Sequence, residues 1–153
     1  MRNLIAAAFI AGLAGSAWAA DCPNPQSWAK PERHVAARSS AMNFALKPGA
    51  VSQIALLPRE RVTFATGRAS RKGYAGLAAI DVAKAGTLHV LVGNRTYVDL
   101  VRGGKPIALA AEPAHPGCPG VRKALEFAVQ PGRYLVELSG STERKVMIAT
   151  SLR

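Results

Sequence analysis

The sequence predicts an all-β protein, an antiparallel β-sandwich of the jelly-roll kind with about nine short strands. Apolar and polar residues alternate with a period of two in many short segments, which is typical of strands that bury one face. Glycine- and proline-rich turn sequences separate these segments at short, even intervals. No segment of useful length shows the longer apolar period of an amphipathic helix. A closed barrel is the alternative architecture.

The clearest pattern lies between residues 125 and 138. Apolar residues alternate with more polar ones from Leu125 to Gln130 and again from Arg133 to Leu138. Pro131-Gly132 between them fits a type II turn, because proline presets φ at the first central position and glycine accepts the positive φ of the second. We therefore predict a β-hairpin here and expect it to nucleate a sheet.

The remaining predicted strands occupy most of the chain between residues 43 and 152. Turn sequences such as Pro48-Gly49, Gly93-Asn94 and Gly103-Gly104 separate them. Gly93-Asn94 in particular has the two-residue form of a hairpin turn. The predicted strands are residues 43–46, 51–57, 61–66, 74–82, 87–92, 95–102, 105–111 and 144–152.

Residues 1–19 have the three parts of a secretory signal peptide. Arg2 supplies the positive charge, residues 4–13 form the apolar stretch, and Ala17-Trp18-Ala19 is a small-residue cleavage site. A membrane anchor is the alternative, but this apolar stretch is too short to span a bilayer. We expect an exported protein, periplasmic or secreted, with no transmembrane segment in the mature chain.

The segment after the cleavage site, residues 20–41, is expected to be irregular. Its three prolines disfavour both a regular helix and a central strand. Trp28 is expected to attach this segment to the β-sandwich domain, which we assign to residues 42–153.

The two cysteines are expected to form a disulfide, Cys22–Cys118, because pairing is the usual state of cysteines in an exported chain. His115 and Cys118 have H-x-x-C spacing, so a metal site with reduced cysteines is the alternative. The disulfide is favoured because the chain lacks the paired C-x-x-C sequences of common zinc sites.

The chain carries a formal net charge of +11, and its basic residues are scattered. We expect an anionic partner, either an envelope component such as lipopolysaccharide phosphates or an acidic protein. Nucleic acid is not expected, because no basic run with interleaved aromatic residues occurs. A charge that only maintains solubility is the alternative. The candidate anion-binding residues are Arg68, Arg71, Lys72, Arg122 and Lys123.

Asp99 lies in the middle of a predicted strand, on the same face as Tyr97 and Val101. A buried carboxylate needs a cation or several hydrogen-bond donors. We therefore predict a buried ion pair between Asp99 and Arg122, with a ligand-binding carboxylate as the alternative.

A resemblance to known proteins is carried by five stretches of the second half, residues 74–77, 85–90, 97–101, 115–123 and 131–135, and less clearly by the Cys22-Pro23 start. These stretches resemble a group of small exported proteins from alphaproteobacteria, especially sphingomonads. The resemblance covers roughly residues 74 to 150. The G-x-Y-x-x-x-L pattern from Gly132 to Leu138 is also similar to bacterial pre-peptidase C-terminal β-sandwich modules.

The pre-peptidase modules are non-catalytic accessory domains, so this resemblance implies a jelly-roll sandwich with a binding or scaffolding role. We expect no cofactor. Members of the alphaproteobacterial group are often labelled homogentisate 1,2-dioxygenase, which implies a non-haem iron site of two histidines and one carboxylate. With only three histidines in the chain, the set available for iron or another transition metal is His89, Glu112 and His115. His89 is expected to face solvent. We expect a non-catalytic binding protein, with a small metal-binding protein and a dioxygenase as alternatives.

Overall fold

The computed structural model describes Cys22 and residues 25–41, 44–66, 71–113 and 118–153. The predicted signal peptide, residues 1–19, lies outside the described residues. In the described part of the chain, the regular structure consists of one short helix, one 3₁₀ turn (Arg59–Arg61) and eleven strands. The elements are α1 (Pro25–Ala29), β1 (Glu32–Val35), β2 (Ala45–Leu46), β3 (Val51–Ala55), β4 (Leu57–Pro58), β5 (Tyr74–Val82), β6 (Gly86–Val92), β7 (Tyr97–Arg102), β8 (Lys105–Pro106), β9 (Lys123–Val129), β10 (Gly132–Ser141) and β11 (Lys145–Leu152).

Two sheets form the molecule, which confirms the predicted all-β class. Sheet A has the strand order β1-β3-β11-β6-β9, and sheet B has the order β2-β5-β10-β7-β8, with β4 also paired to β5. The sheets are not wholly antiparallel as predicted, because β1 pairs with β3 and β2 pairs with β5 in parallel. No helix in the described part of the chain is long and apolar enough to cross a bilayer.

The core lies between the inner faces of the two sheets, and the predicted alternation places its residues. Sheet A contributes Leu125 and Phe127, which are buried while their neighbour Glu126 is only half-buried. Sheet B contributes Val136 and Leu138, both fully buried. Burying such side chains stabilises the fold by roughly 1.5–3 kcal/mol each.

The predicted hairpin between residues 125 and 138 is wrong. β9 lies in sheet A and pairs with β6, whereas β10 lies in sheet B between β5 and β7. Pro131-Gly132 therefore turns the chain from one sheet to the other. Gly132 has φ +138°, well beyond the value of about +80° for the second central residue of a type II turn.

The Gly93-Asn94 turn, predicted to close a hairpin, also crosses between the sheets, from β6 to β7. Among the described strands, β7 and β8 are the one consecutive pair that a tight turn joins within a sheet. Tight glycine turns serve equally well as hairpins and as corners between sheets, because both reverse the chain within a few residues.

Two segments form structure that was not predicted. Residues 32–35 were expected to be irregular but form β1, and Pro25 begins α1, where a proline costs no hydrogen bond. Trp28 packs on the outer face of sheet A, as predicted.

The predicted strand at residues 61–66 is absent. Val62 and Phe64 are instead buried against the outer face of sheet B.

The predicted strand at residues 105–111 is regular only over its first two residues. Beyond β8, the Ile107 amide donates to the Leu100 carbonyl, and the Ala110 amide donates to the Glu126 carbonyl 2.8 Å away. Residues 107–112, which we call the strap, therefore run from the edge of sheet B to the edge of sheet A. The strap crosses one open side of the sandwich.

Candidate functional site

A groove surrounds Tyr97 at the beginning of β7. The Tyr97 side chain is 47% exposed, although the residues on either side of it in the chain are buried. Two cavities, of about 670 Å³ and about 470 Å³, adjoin here and share Tyr97, Glu112 and Lys123 in their linings. We call the two together the Tyr97 groove.

Two cations lie over the Tyr97 ring. The guanidinium carbon of Arg71 is 3.7 Å from the ring centroid, and Lys123 Nζ is 4.9 Å from it. Both distances are within the range in which the ring quadrupole attracts a cation. Positive charge is therefore concentrated around Tyr97, where the two cavities meet.

Carboxylates hold both of these cations in place. Arg71 Nη1 lies 3.9 Å from Asp99 Oδ2 and donates to Ser139 Oγ at 3.4 Å. Lys123 Nζ lies 3.8 Å from Glu112 Oε1. The pairs are partly exposed, so each contributes little stability, on the order of 0–1 kcal/mol, and mainly positions its cation.

Two further arginines line the larger cavity, and both are exposed. Within the described part of the chain, neither Arg95 nor Arg122 has a carboxylate within ion-pair distance. The turn that carries Arg95 is fixed by Asn94, whose Nδ2 donates to the Lys145 carbonyl at 3.0 Å and whose Oδ1 accepts from the Thr96 amide at 3.2 Å. Among the described residues, these two arginines are the groove's uncompensated charges.

The disulfide Cys22–Cys118, predicted from the sequence, is present and anchors the chain just before Arg122. Trp28 reinforces this anchor by packing on Gly120. A Cβ at Gly120 would lie 2.6 Å from Trp28 Nε1, and its φ of +76° also favours glycine. The N-terminal segment therefore fixes the start of β9, where Arg122 and Lys123 lie.

A buried carboxylate, Glu137, lies beside the groove and was not singled out from the sequence. It is 3% exposed, and Oε1 accepts from the Ala65 amide at 2.7 Å while Oε2 accepts from Thr66 Oγ1 at 2.9 Å. Its partner across the β10–β7 ladder is Asp99. The sequence placed Glu137 on an outward face, but residues 65–66 cover that face.

The predicted buried pair between Asp99 and Arg122 is wrong in partner and in burial. Asp99 lies against Arg71 instead, and its side chain is 30% exposed. Arg122 follows the disulfide-anchored loop and points into the larger cavity, whereas Asp99 lines the smaller one. The alternation of apolar and polar residues predicted the strand face on which Asp99 lies. It did not predict that Arg71, which lies in a loop, would contact Asp99.

Of the predicted anion-binding residues, the structure brings Arg71, Arg122 and Lys123 to the Tyr97 groove. Lys72 is exposed and lines neither cavity, and Arg68 lies outside the described residues. Sequence reasoning missed Arg95 and Tyr97 as part of this site. Their only signal was a basic residue and an aromatic residue close to one turn.

The residues proposed for a metal are separated in the described structure. His89 is buried rather than solvent-facing, with Nδ1 3.6 Å from Glu126 Oε1, whereas Glu112 lies against Lys123. His115 lies outside the described residues. Among the residues that are described, no three His, Cys, Asp or Glu side chains are grouped closely enough to hold a metal ion.

Comparison with known proteins adds no family assignment to this geometry. No protein-family model matches the chain, and no curated protein is significantly similar to it.

Proposed function

We propose that this protein is a non-catalytic, exported binding protein that holds an anionic ligand in the Tyr97 groove. The observation that carries the proposal is that four cationic side chains line two cavities that share one exposed tyrosine. They are Arg71, Arg95, Arg122 and Lys123.

The charge balance of the groove supports this proposal. Four cations face two carboxylates among the described residues of the groove, which therefore carry an excess of positive charge on a strongly basic protein. Arg95 and Arg122 have no ion pair with any described residue that a ligand would have to break. Guanidinium groups bind phosphate and carboxylate through parallel hydrogen bonds, which suits these two arginines to an anion.

The positions of the carboxylates support binding rather than catalysis. Asp99 and Glu112 each lie against one of the groove's cations, where they position positive charge for a ligand. Export is supported by the disulfide, because such bonds persist mainly in oxidising compartments, and by the signal-peptide pattern of residues 1–19.

Calorimetric titration with inorganic pyrophosphate at low ionic strength tests the proposal. The variant Arg95→Gln/Arg122→Gln removes the two uncompensated cations. We expect it to bind pyrophosphate at least about tenfold more weakly, because a hydrogen bond to a charged group contributes roughly 1.5–3 kcal/mol.

The matched control is Arg38→Gln/Arg61→Gln, which removes the same charge from two exposed arginines that line neither cavity. We expect its affinity to stay within about twofold of the unmodified protein. Equal weakening in both variants, or no binding by the unmodified protein, would contradict the proposal.

A further inference from the structure

The smaller cavity of the Tyr97 groove has an apolar wall. The strap contributes Ile107 and Leu109, β9 contributes Leu125 and Phe127, and β7 contributes Val98. Three of these side chains also belong to the core between the sheets. The cavity therefore reaches the open side of the sandwich, where the strap joins the two sheet edges.

Exposed apolar side chains are concentrated at this groove. In the described part of the chain, the large hydrophobic side chains that remain exposed are Val35, Tyr97 and Leu109. Tyr97 and Leu109 both line the smaller cavity. Single exposed apolar residues are common on proteins, but two on one cavity that also carries cations indicate a binding surface.

The apolar cavity is continuous with the cationic one. Arg95 and Arg122 line only the larger cavity, and Ile107 and Leu109 line only the smaller one. Tyr97 and Lys123 lie where the two meet. Each volume is within the range of roughly 300–1,000 Å³ for small-molecule sites. The groove thus has a cationic end and an apolar end.

We infer that the ligand of the Tyr97 groove is an anionic amphiphile with a single acyl chain. Its phosphate or carboxylate head lies at Arg95 and Arg122, and its chain lies along Ile107 and Leu109. This inference rests on the proposed function and adds the chemical class of the ligand. Charge complementarity selects the head, and the apolar wall selects the chain.

The test compares three probes by calorimetry: glycerol 3-phosphate, a short-chain 1-acyl-glycerol 3-phosphate below its micelle concentration, and the monoacylglycerol with the same chain. We expect the acylated phosphate to bind at least about tenfold more tightly than either of the others. Burial of as few as about two methylene groups suffices for a tenfold gain.

Two single variants test where the acyl chain of the ligand binds. Leu109→Asp is expected to abolish the gain from the acyl chain while leaving the weaker binding of glycerol 3-phosphate in place. Val35→Asp is the matched control, because it adds the same charge at an exposed apolar residue that lies on β1, away from the groove. We expect Val35→Asp to keep the gain.

Each alternative result overturns the inference in a recognisable way. Equal affinity for glycerol 3-phosphate and its acylated form would show that the groove does not bind an acyl chain. The proposed anion site would still stand, provided that pyrophosphate binds. Binding only to vesicles of diacyl phosphatidic acid would replace the single-chain ligand with a membrane surface. If Leu109→Asp and Val35→Asp lost the affinity gain from the acyl chain equally, the acyl chain would not bind along Leu109.

Discussion

Tyr134 and Tyr97 each have an arginine over the ring, yet the two tyrosines play different parts. Arg102 lies 5.3 Å from the Tyr134 centroid, and Arg71 lies 3.7 Å from that of Tyr97. Tyr134 is 2% exposed, whereas Tyr97 is 47% exposed. The cation contact is common to both, so burial and hydrogen bonding of the hydroxyl make the difference.

The Tyr134 hydroxyl closes the corner between β9 and β10. It donates to the Gln130 carbonyl and accepts from the Gln130 amide, both at 2.9 Å. Arg102 adds a bond from Nη2 to the Pro131 carbonyl at 3.0 Å. The arrangement resembles the tyrosine corner of immunoglobulin-type sandwiches, in which a buried tyrosine bonds to backbone a few residues upstream. Hydrogen bonds therefore close the Tyr134 corner, whereas the Tyr97 groove is open to solvent.

The largest effect we expect comes from the disulfide, which supports the groove and not the corner. Cys22→Ser/Cys118→Ser removes a cross-link between residues that are 96 apart in sequence. In the chain-entropy model, this lowers the free energy of unfolding by about 4–5 kcal/mol, as measured by urea titration.

Hydrogen exchange on the same variant sharpens the comparison. The Arg122 amide, which donates to the Val92 carbonyl at 2.7 Å, should lose more protection than the Gln130 amide at the Tyr134 corner. Reduced, unmodified protein serves as the control and should behave like the variant. Equal loss of protection at both amides would show that the disulfide does not act locally on the groove.

An intermediate effect should distinguish the two hydroxyl groups. Tyr134→Phe removes a buried hydroxyl that bonds both the amide and the carbonyl of Gln130. Loss of these two hydrogen bonds costs about 1–3 kcal/mol of unfolding free energy. Tyr97→Phe alters an exposed ring and should change the same quantity by less than about 0.5 kcal/mol. Urea titrations of both variants measure this difference. Similar losses in the two variants would mean that the corner hydrogen bonds are not what separates the two tyrosines.

The smallest effect concerns an exposed polar contact, Glu32 with Lys47. The hydrogen bond from Lys47 Nζ, 3.2 Å long, is the main cause that lowers the pKa of Glu32 below its usual 4.5. A lowered pKa gives stability that is present above the unfolded value and is lost as the pH falls through the folded one. The unmodified protein should therefore be slightly more stable than Glu32→Gln at neutral pH.

Urea midpoints at neutral pH and on the acid side of the lowered pKa measure this difference. Lys47→Gln is the control and should remove the same pH dependence, because it removes the donor. A difference between Glu32→Gln and the unmodified protein that grows on acidification would contradict the assigned sign.

The sequence predicted which residues face the core better than it predicted which strands pair. Period-two alternation gave the buried faces of β9 and β10 correctly, but a hairpin and a corner between sheets bury the same faces. β1 was missed because it is short and its apolar Val35 is exposed. Residues 62–64 alternate like a strand, yet they pack on a sheet without joining its ladder.

The site was predictable in its residue types and not in its assembly. Arg71, Arg122 and Lys123 were chosen as cations, but they come from a loop, a disulfide-anchored segment and the start of a strand. Only the crossing of the strap and the packing of Tyr97 bring them together. Such contacts between distant segments are not encoded in local patterns.

The position of β11 has a consequence for biosynthesis. This strand lies in the middle of sheet A, between β3 and β6, although residues 145–152 are translated after every other strand described. Sheet A therefore cannot close before β11 has been synthesised. Until β11 has been synthesised, β3 and β6 each remain unpaired on one side, so chaperone contact would be concentrated in that interval.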